Sequence, residues 1–61
     1  MAPTIKVHGR VIPLSYVNGE WRANVEIHLR DTDNEEEISR LVEFLREVRR
    51  ELKKISSTIL H

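Results

Sequence analysis

The sequence predicts an α+β domain of order β-β-α, with one long antiparallel hairpin over residues 4–31 and one long C-terminal helix over residues 34–60. Three observations predict it. Apolar and polar residues alternate through the first half of the chain, an Asn18-Gly19 pair interrupts that half, and apolar residues recur at helical spacing in the second half. The chain has 61 residues, which is enough for a single small domain. Chains of this size bury only about 60% of their unfolded surface.

The strand that follows Asn18-Gly19 has the clearest pattern of the first half. From Trp21 to Leu29 every odd-numbered residue is apolar, and the even-numbered residues between them are polar. This alternation is typical of a strand with one buried face. Asn-Gly is the strongest short hairpin signal because both residues tolerate positive φ. We therefore expect a hairpin in which Tyr16 lies opposite Trp21 as an aromatic pair near the tip.

The first strand contains a change of phase, because its apolar positions are odd-numbered over residues 5–7 but even-numbered over residues 12–16. A β-bulge near Val11, eased by Gly9, would absorb this change. Pro13 lacks an N–H group and interrupts the hydrogen-bond ladder at the same place. We interpret the segment as one long bulged strand that bends at residues 11–13.

The second half reads as a single helix. Asp33 or Asn34 can cap it, and each is followed three residues later by a glutamate, which is the spacing of a capping box. Apolar residues spaced alternately by three and four form an unbroken seam predicted to serve as core and dimer contact. The seam consists of Ile38, Leu41, Leu45, Val48, Leu52, Ile55 and Ile59.

One copy of this fold has little to bury, since a two-stranded hairpin is marginal in water and exposes both edges. We therefore expect a homodimer with C2 symmetry. Two hairpins could join edge to edge into a shared four-stranded sheet, which is the preferred arrangement. Alternatively, the helices could pair as a coiled coil with the hairpins outside.

The solvent face of the hairpin is locally basic in a chain whose ten basic and ten acidic residues balance. Such a face could contact phosphates of a nucleic acid, although it lacks the aromatic platforms that sheet-face binders use. The candidate nucleic-acid-binding residues are Lys6, Arg10, Arg22, Asn24 and Arg30.

His8 and His28 become direct cross-strand neighbours if the bulge is present, and two imidazoles at that spacing are candidate metal ligands. Two exposed strand histidines without a third ligand are more often ordinary polar residues. The chain has no cysteine, so a cysteine-based metal site is excluded, and no cofactor is implied. The spacing of its residues suggests no nucleophile–base pair for catalysis.

These observations predict a non-enzymatic, self-associating structural or binding module of cytoplasmic location, from a thermophile or of engineered (de novo) origin. The high fraction of charged residues, 33%, suits either origin. No apolar run suggests a membrane segment. The alternative function is a small homodimeric DNA-binding or RNA-binding protein that uses the basic hairpin face.

Overall fold

The computed structural model describes residues 3–59, and their side chains as far as residue 57. It contains three strands and one helix: β1 (Thr4–Val7), β2 (Arg10–Val17), β3 (Glu20–Ala23) and α1 (Glu35–Ile59). The strands form an antiparallel sheet in the order β1-β2-β3, and α1 packs across it against β1 and β3. The α+β class is confirmed, with the order β-β-β-α in place of β-β-α.

The change of phase near residue 8 is a second hairpin turn, so the predicted bulge near Val11 is wrong. His8 and Gly9 both adopt positive φ, 50° and 77°, as a two-residue turn requires. Val7 pairs with Arg10 on either side of the turn. Histidine visits this backbone region less readily than glycine but more readily than most residues, and Gly9 supplies the rest of the turn.

The second hairpin has the predicted turn and register. Asn18 and Gly19 have φ values of 52° and 80°, and Tyr16 pairs with Trp21. The two rings meet edge to face with centroids 5.1 Å apart, which is a favourable aromatic geometry. The aromatic pair at the tip is therefore confirmed.

The third strand is much shorter than predicted and ends at Ala23. The N–H of Asn24 still donates to the Pro13 carbonyl at 2.9 Å, but Pro13 has no N–H to return the bond. Beyond this point residues 24–30 form no ladder with β2. They nevertheless keep the alternation, since Val25 and Ile27 are half-buried. Leu29, which was predicted on the same buried face, is 67% exposed. The chain therefore separates from the sheet at Pro13 and keeps the predicted inward positions only as far as Ile27.

The start of α1 uses the second of the two predicted caps. The Asn34 side-chain oxygen accepts the N–H of Glu37 at 2.9 Å, and its carbonyl accepts the N–H of Ile38 at 3.1 Å. This is the usual N-cap geometry. Asp33 serves the preceding turn instead, because its carboxylate accepts the N–H of Arg30. The helix continues to Ile59, and the predicted last residue, Leu60, lies outside the described residues.

The core lies between α1 and the sheet and is small. Val7, Ile12, Phe44 and Val48 form one cluster, each 3–5% exposed, and Leu14 is buried as well. Partly buried apolar side chains pack around the cluster.

The helix is rotated relative to the predicted seam so that Phe44, its largest apolar side chain, faces the sheet. Of the seam residues, Val48 is buried, and Leu41, Leu52 and Ile55 are half-buried. Ile38 and Leu45 are exposed to 36% and 42%. The side chain of Ile59 lies outside the described part of the chain. The predicted seam is therefore divided between the core and the surface.

Candidate functional site

The cations predicted to share one face of the hairpin do not do so. Lys6 lies on the sheet face opposite the helix, since its neighbours Ile5 and Val7 face the core. Arg22 shares that outer face. Arg10 pairs with Val7 and places its guanidinium carbon 4.8 Å from the centre of the Phe44 ring, on the helix side. The nucleic-acid alternative therefore stays a prediction without the continuous basic surface that motivated it.

Two of the candidate nucleic-acid residues have partners within the sheet. The Asn24 amide donates to the hydroxyl oxygen of Ser15 at 2.9 Å and to the Pro13 carbonyl at 3.3 Å. Arg22 forms an ion pair with Glu20 at 2.9 Å. Asn24 thus secures the end of β3, where the hydrogen-bond ladder stops.

A cleft of about 490 Å³ opens where the chain leaves the sheet beyond Pro13. The β1–β2 hairpin and the segment before α1 form its two sides, and the first half of the helix forms its floor. Leu41 and Phe44 make the apolar part of that floor. Volumes of 300–1,000 Å³ are typical of small-molecule sites. We call this space the arginine cleft, because Arg10, Arg30 and Arg40 all line it.

His8 and His28 also line the arginine cleft, although they are not paired across strands as predicted. His8 belongs to the first turn, and its ring centroid lies 5.9 Å from that of Phe44. His28 Nε2 lies 3.4 Å from Glu26 Oε1. Within residues 3–57 there is no cluster of three or more metal-ligating side chains. The cross-strand geometry proposed for a metal is therefore wrong, although the two imidazoles reach one cavity.

Two of the three arginines that line the cleft, Arg30 and Arg40, form ion pairs with carboxylates. Arg30 donates from Nε to Asp33 Oδ1 at 3.0 Å and from Nη2 to Glu37 Oε2 at 3.3 Å. Arg40 pairs with Glu36 at 2.7 Å. The backbone N–H of Arg30 lowers the pKa of Asp33 by stabilising its ionised form. The hydrogen bond from Arg30 to Asp33 raises the pKa of Arg30 in turn.

Arg10 differs from the other two arginines. It rests on the Phe44 ring, and no carboxylate partner for it occurs in the described part of the chain. A guanidinium stacked on an aromatic face keeps its in-plane donors available. Arg10 is therefore the cation of the cleft whose hydrogen-bonding capacity is unused.

A second surface of interest lies on α1 beside the core. Ile38, Val42 and Leu45 are spaced by four and three residues, which places them on one side of the helix. Their exposed fractions are 36%, 40% and 42%. We call these three residues the apolar strip. Ile38 and Leu45 belong to the predicted seam, whereas Val42 does not.

The aromatic pair at the second turn contains one unusual polar atom. The Trp21 indole nitrogen is buried and has no hydrogen-bond partner among the described residues, whereas Tyr16 is 60% exposed. The indole ring lies beside the C-terminal half of α1, near Leu52 and Ser56. The Trp21 ring therefore lies between the hairpin tip and α1.

No helix within residues 3–59 is both long and apolar enough to cross a membrane. Comparison with protein-family models, with curated proteins and with solved structures gives no match. The functional assignment therefore depends on the arginine cleft and the apolar strip themselves.

Proposed function

We propose that the protein is a non-catalytic, self-associating module that works as a homodimer, with the apolar strips of two α1 helices packed against each other. The observation that carries this proposal is the strip itself. Three large apolar side chains, Ile38, Val42 and Leu45, lie together on the exposed side of the helix, where most neighbouring residues are charged. Contiguous exposed apolar surface on a small domain marks an interaction site.

The size of the core supports the same proposal. Five apolar side chains of the described residues form the core, each 3–5% exposed, and none is completely buried. A single core in a chain this short rarely supplies more than about 3–5 kcal/mol, and oligomerisation is one common remedy. If the apolar strip packed against a second copy, apolar area that a single copy leaves in water would be buried and would add to the small core.

The charges along α1 favour a second copy in antiparallel orientation. The first turn carries Glu35, Glu36 and Glu37, whereas Arg46, Arg49 and Lys53 follow the strip on the outer side of the helix. In an antiparallel pair centred on Val42, the acidic start of one helix lies beside the basic part of its partner. A parallel pair would place like charges together.

The shared sheet is less favoured as the contact. Because each chain has three strands, two sheets joined edge to edge would contain six strands instead of the predicted four. The edge strands β1 and β3 have four residues each, and short edges are a common device against edge pairing. Of the two predicted dimers, the one in which the helices pair therefore has the stronger support.

Sedimentation equilibrium tests this proposal. The chain mass is 7.2 kDa, and we expect the mass to rise toward twice that value over ~10–500 μM, because an interface of this size is at the small end of the specific range. Leu45→Glu should keep the protein monomeric throughout, since it places a carboxylate within the strip.

Ser39→Glu is the matched control. Ser39 is also exposed on α1 but lies on another side, beside His8. This variant should dimerise like the unmodified chain. A monomeric mass for the unmodified chain up to ~500 μM would contradict the proposal, as would equal effects of the two variants.

A further inference from the structure

We infer that the arginine cleft binds a phosphate monoester carried on a flat apolar group, with Arg10 as the principal contact to the phosphate. This inference goes beyond self-association, because the cleft and the apolar strip are formed by different residues. It depends on the shape of the cleft, the free donors of Arg10 and the apolar floor.

The ion pairs of the cleft identify Arg10. Arg30 pairs with both carboxylates that line the space, Asp33 and Glu37, and Arg40 pairs with Glu36. Arg10 is the arginine of the cleft left without a carboxylate partner among the described residues. A phosphate at this position would meet a cation that no carboxylate already neutralises.

Phe44 also orients the groups that would meet the phosphate. The Arg10 guanidinium carbon lies 4.8 Å from the centre of the Phe44 ring, and the centre of the His8 ring lies 5.9 Å from it. Since Phe44 is only 5% exposed, its ring is held by the core and gives the exposed side chains of Arg10 and His8 a surface on which to rest. Arginine forms paired hydrogen bonds with two phosphate oxygens, and an imidazole N–H can donate to a third.

The apolar floor specifies the remainder of the ligand. Leu41 and Phe44 line the cleft on the helix side, so a flat ring attached to the phosphate would replace water over them. Inorganic phosphate lacks that contact, and an uncharged ring lacks the contact with Arg10. The cleft should therefore prefer a molecule that has both parts.

The test is a titration of the ¹⁵N-labelled protein followed by NMR chemical shifts, with phenyl phosphate as the probe. Inorganic phosphate and phenol are the comparison ligands. We expect saturable shifts around the cleft with a dissociation constant on the order of 1 mM, consistent with the modest affinity of small ligands. Each comparison ligand should bind at least tenfold more weakly.

Two substitutions at Arg10 and one control complete the experiment. Arg10→Met keeps an apolar contact with Phe44 and should weaken phenyl phosphate binding at least tenfold. Arg10→Lys keeps the charge without the paired donors and should weaken phenyl phosphate binding by a smaller factor. This second variant keeps the test decisive if Arg10→Met folds poorly. Lys6→Met removes an exposed cation from the opposite sheet face and should change the affinity less than twofold.

The inference is overturned if phenyl phosphate gives no saturable shifts, or if inorganic phosphate binds equally well. It is also overturned if the folded Arg10 variants bind like the unmodified protein. An equal loss in Lys6→Met would show general ionic attraction and would overturn it too. None of these outcomes depends on the dimer, because the titration can be repeated on the Leu45→Glu variant with the same expected affinities.

Discussion

Truncation of two adjacent helix residues, Phe44→Ala and Leu45→Ala, should have very different consequences for folding. Phe44 is 5% exposed and belongs to the core cluster. Leu45 is 42% exposed on the apolar strip. The sequence seam contained Leu45 but not Phe44, so this comparison tests how α1 is rotated against the sheet.

The magnitudes follow from burial. Removal of a buried phenylalanine side chain costs about 3–5 kcal/mol, including the cavity that remains. Leu45→Ala removes roughly three carbons at ~0.8 kcal/mol each, and a little over half of this side chain is covered within one copy. Its cost in the monomer is therefore about 1.4 kcal/mol. A core in a chain of 61 residues rarely supplies more than about 3–5 kcal/mol, which equals the expected loss, so Phe44→Ala should leave a large fraction of the protein unfolded.

Urea unfolding followed by circular dichroism measures both variants, at ~5 μM protein so that the monomer is observed. Phe44→Leu serves as a second variant with a measurable transition, and it should cost no more than about 1.5 kcal/mol because it keeps the site apolar. At high protein concentration Leu45→Ala should also lose the concentration-dependent part of the stability. Equal losses for Phe44→Ala and Leu45→Ala at low concentration, or a larger loss for Leu45→Ala, would refute the assigned rotation of the helix.

Three further predictions concern the turns and the helix start. Asn34→Ala should lower the free energy of unfolding by about 1 kcal/mol through loss of the N-cap, and Asn34→Asp should restore most of it in urea unfolding. Gly19→Ala should lower the free energy of unfolding by about 1–2 kcal/mol in the same assay, because a residue with a Cβ is strained at the φ of 80° found there. The strain is the whole effect, since no atom lies close to the added Cβ; an unchanged urea midpoint would show that the turn differs. The pKa of Asp33 is lowered chiefly by the backbone N–H of Arg30, so its stabilising contribution is complete above the unfolded pKa of about 3.9 and is lost as the pH falls through the lower folded value. Asp33→Asn should therefore flatten the decline of the urea midpoint below that pH, and an identical pH profile would count against this contact.

The second hairpin and the helix start were predictable because their signals are local. Asn18-Gly19 specifies a two-residue turn, and the register of Tyr16 with Trp21 follows from it. Asn34 lies at the boundary between alternating and helical spacing, with Glu37 three residues on. The sequence left Asp33 and Asn34 as alternatives because both carry acceptors. Only the turn at Arg30, which takes the Asp33 carboxylate, decides between them.

The first turn had a signal that was misread. After a two-residue turn, the residues that face the core change from odd-numbered to even-numbered positions, or the reverse, as they do after Asn18-Gly19. The same change occurs around His8 and Gly9. A one-residue bulge produces the same change of parity, and histidine is an uncommon choice for positive φ. Periodicity alone therefore could not separate the two structures.

The arginine cleft could not be predicted from the sequence, because it depends on where β3 ends. The alternation correctly assigned inward and outward positions from Trp21 to Ile27 but not at Leu29, which is 67% exposed. Pairing with β2 also needs an N–H at position 13. Pro13 lacks that N–H and lets the segment leave the sheet. The contact of Arg10 with Phe44 joins the first hairpin to the helix, and a contact between distant segments leaves no local pattern.

The most direct test of the antiparallel dimer is self-cross-linking through one introduced cysteine. The chain has no native cysteine, so any disulfide in Val42→Cys must join two copies. Val42 lies at the centre of the proposed contact, and its counterpart should be close enough to form a disulfide. Exposed Ser57 lies fifteen residues further along α1, so two copies of Ser57→Cys would be roughly 45 Å apart in an antiparallel pair. We expect mild oxidation to convert Val42→Cys largely to covalent dimer while Ser57→Cys reacts slowly; equal rates, or faster linkage through Ser57→Cys, would contradict the proposed dimer.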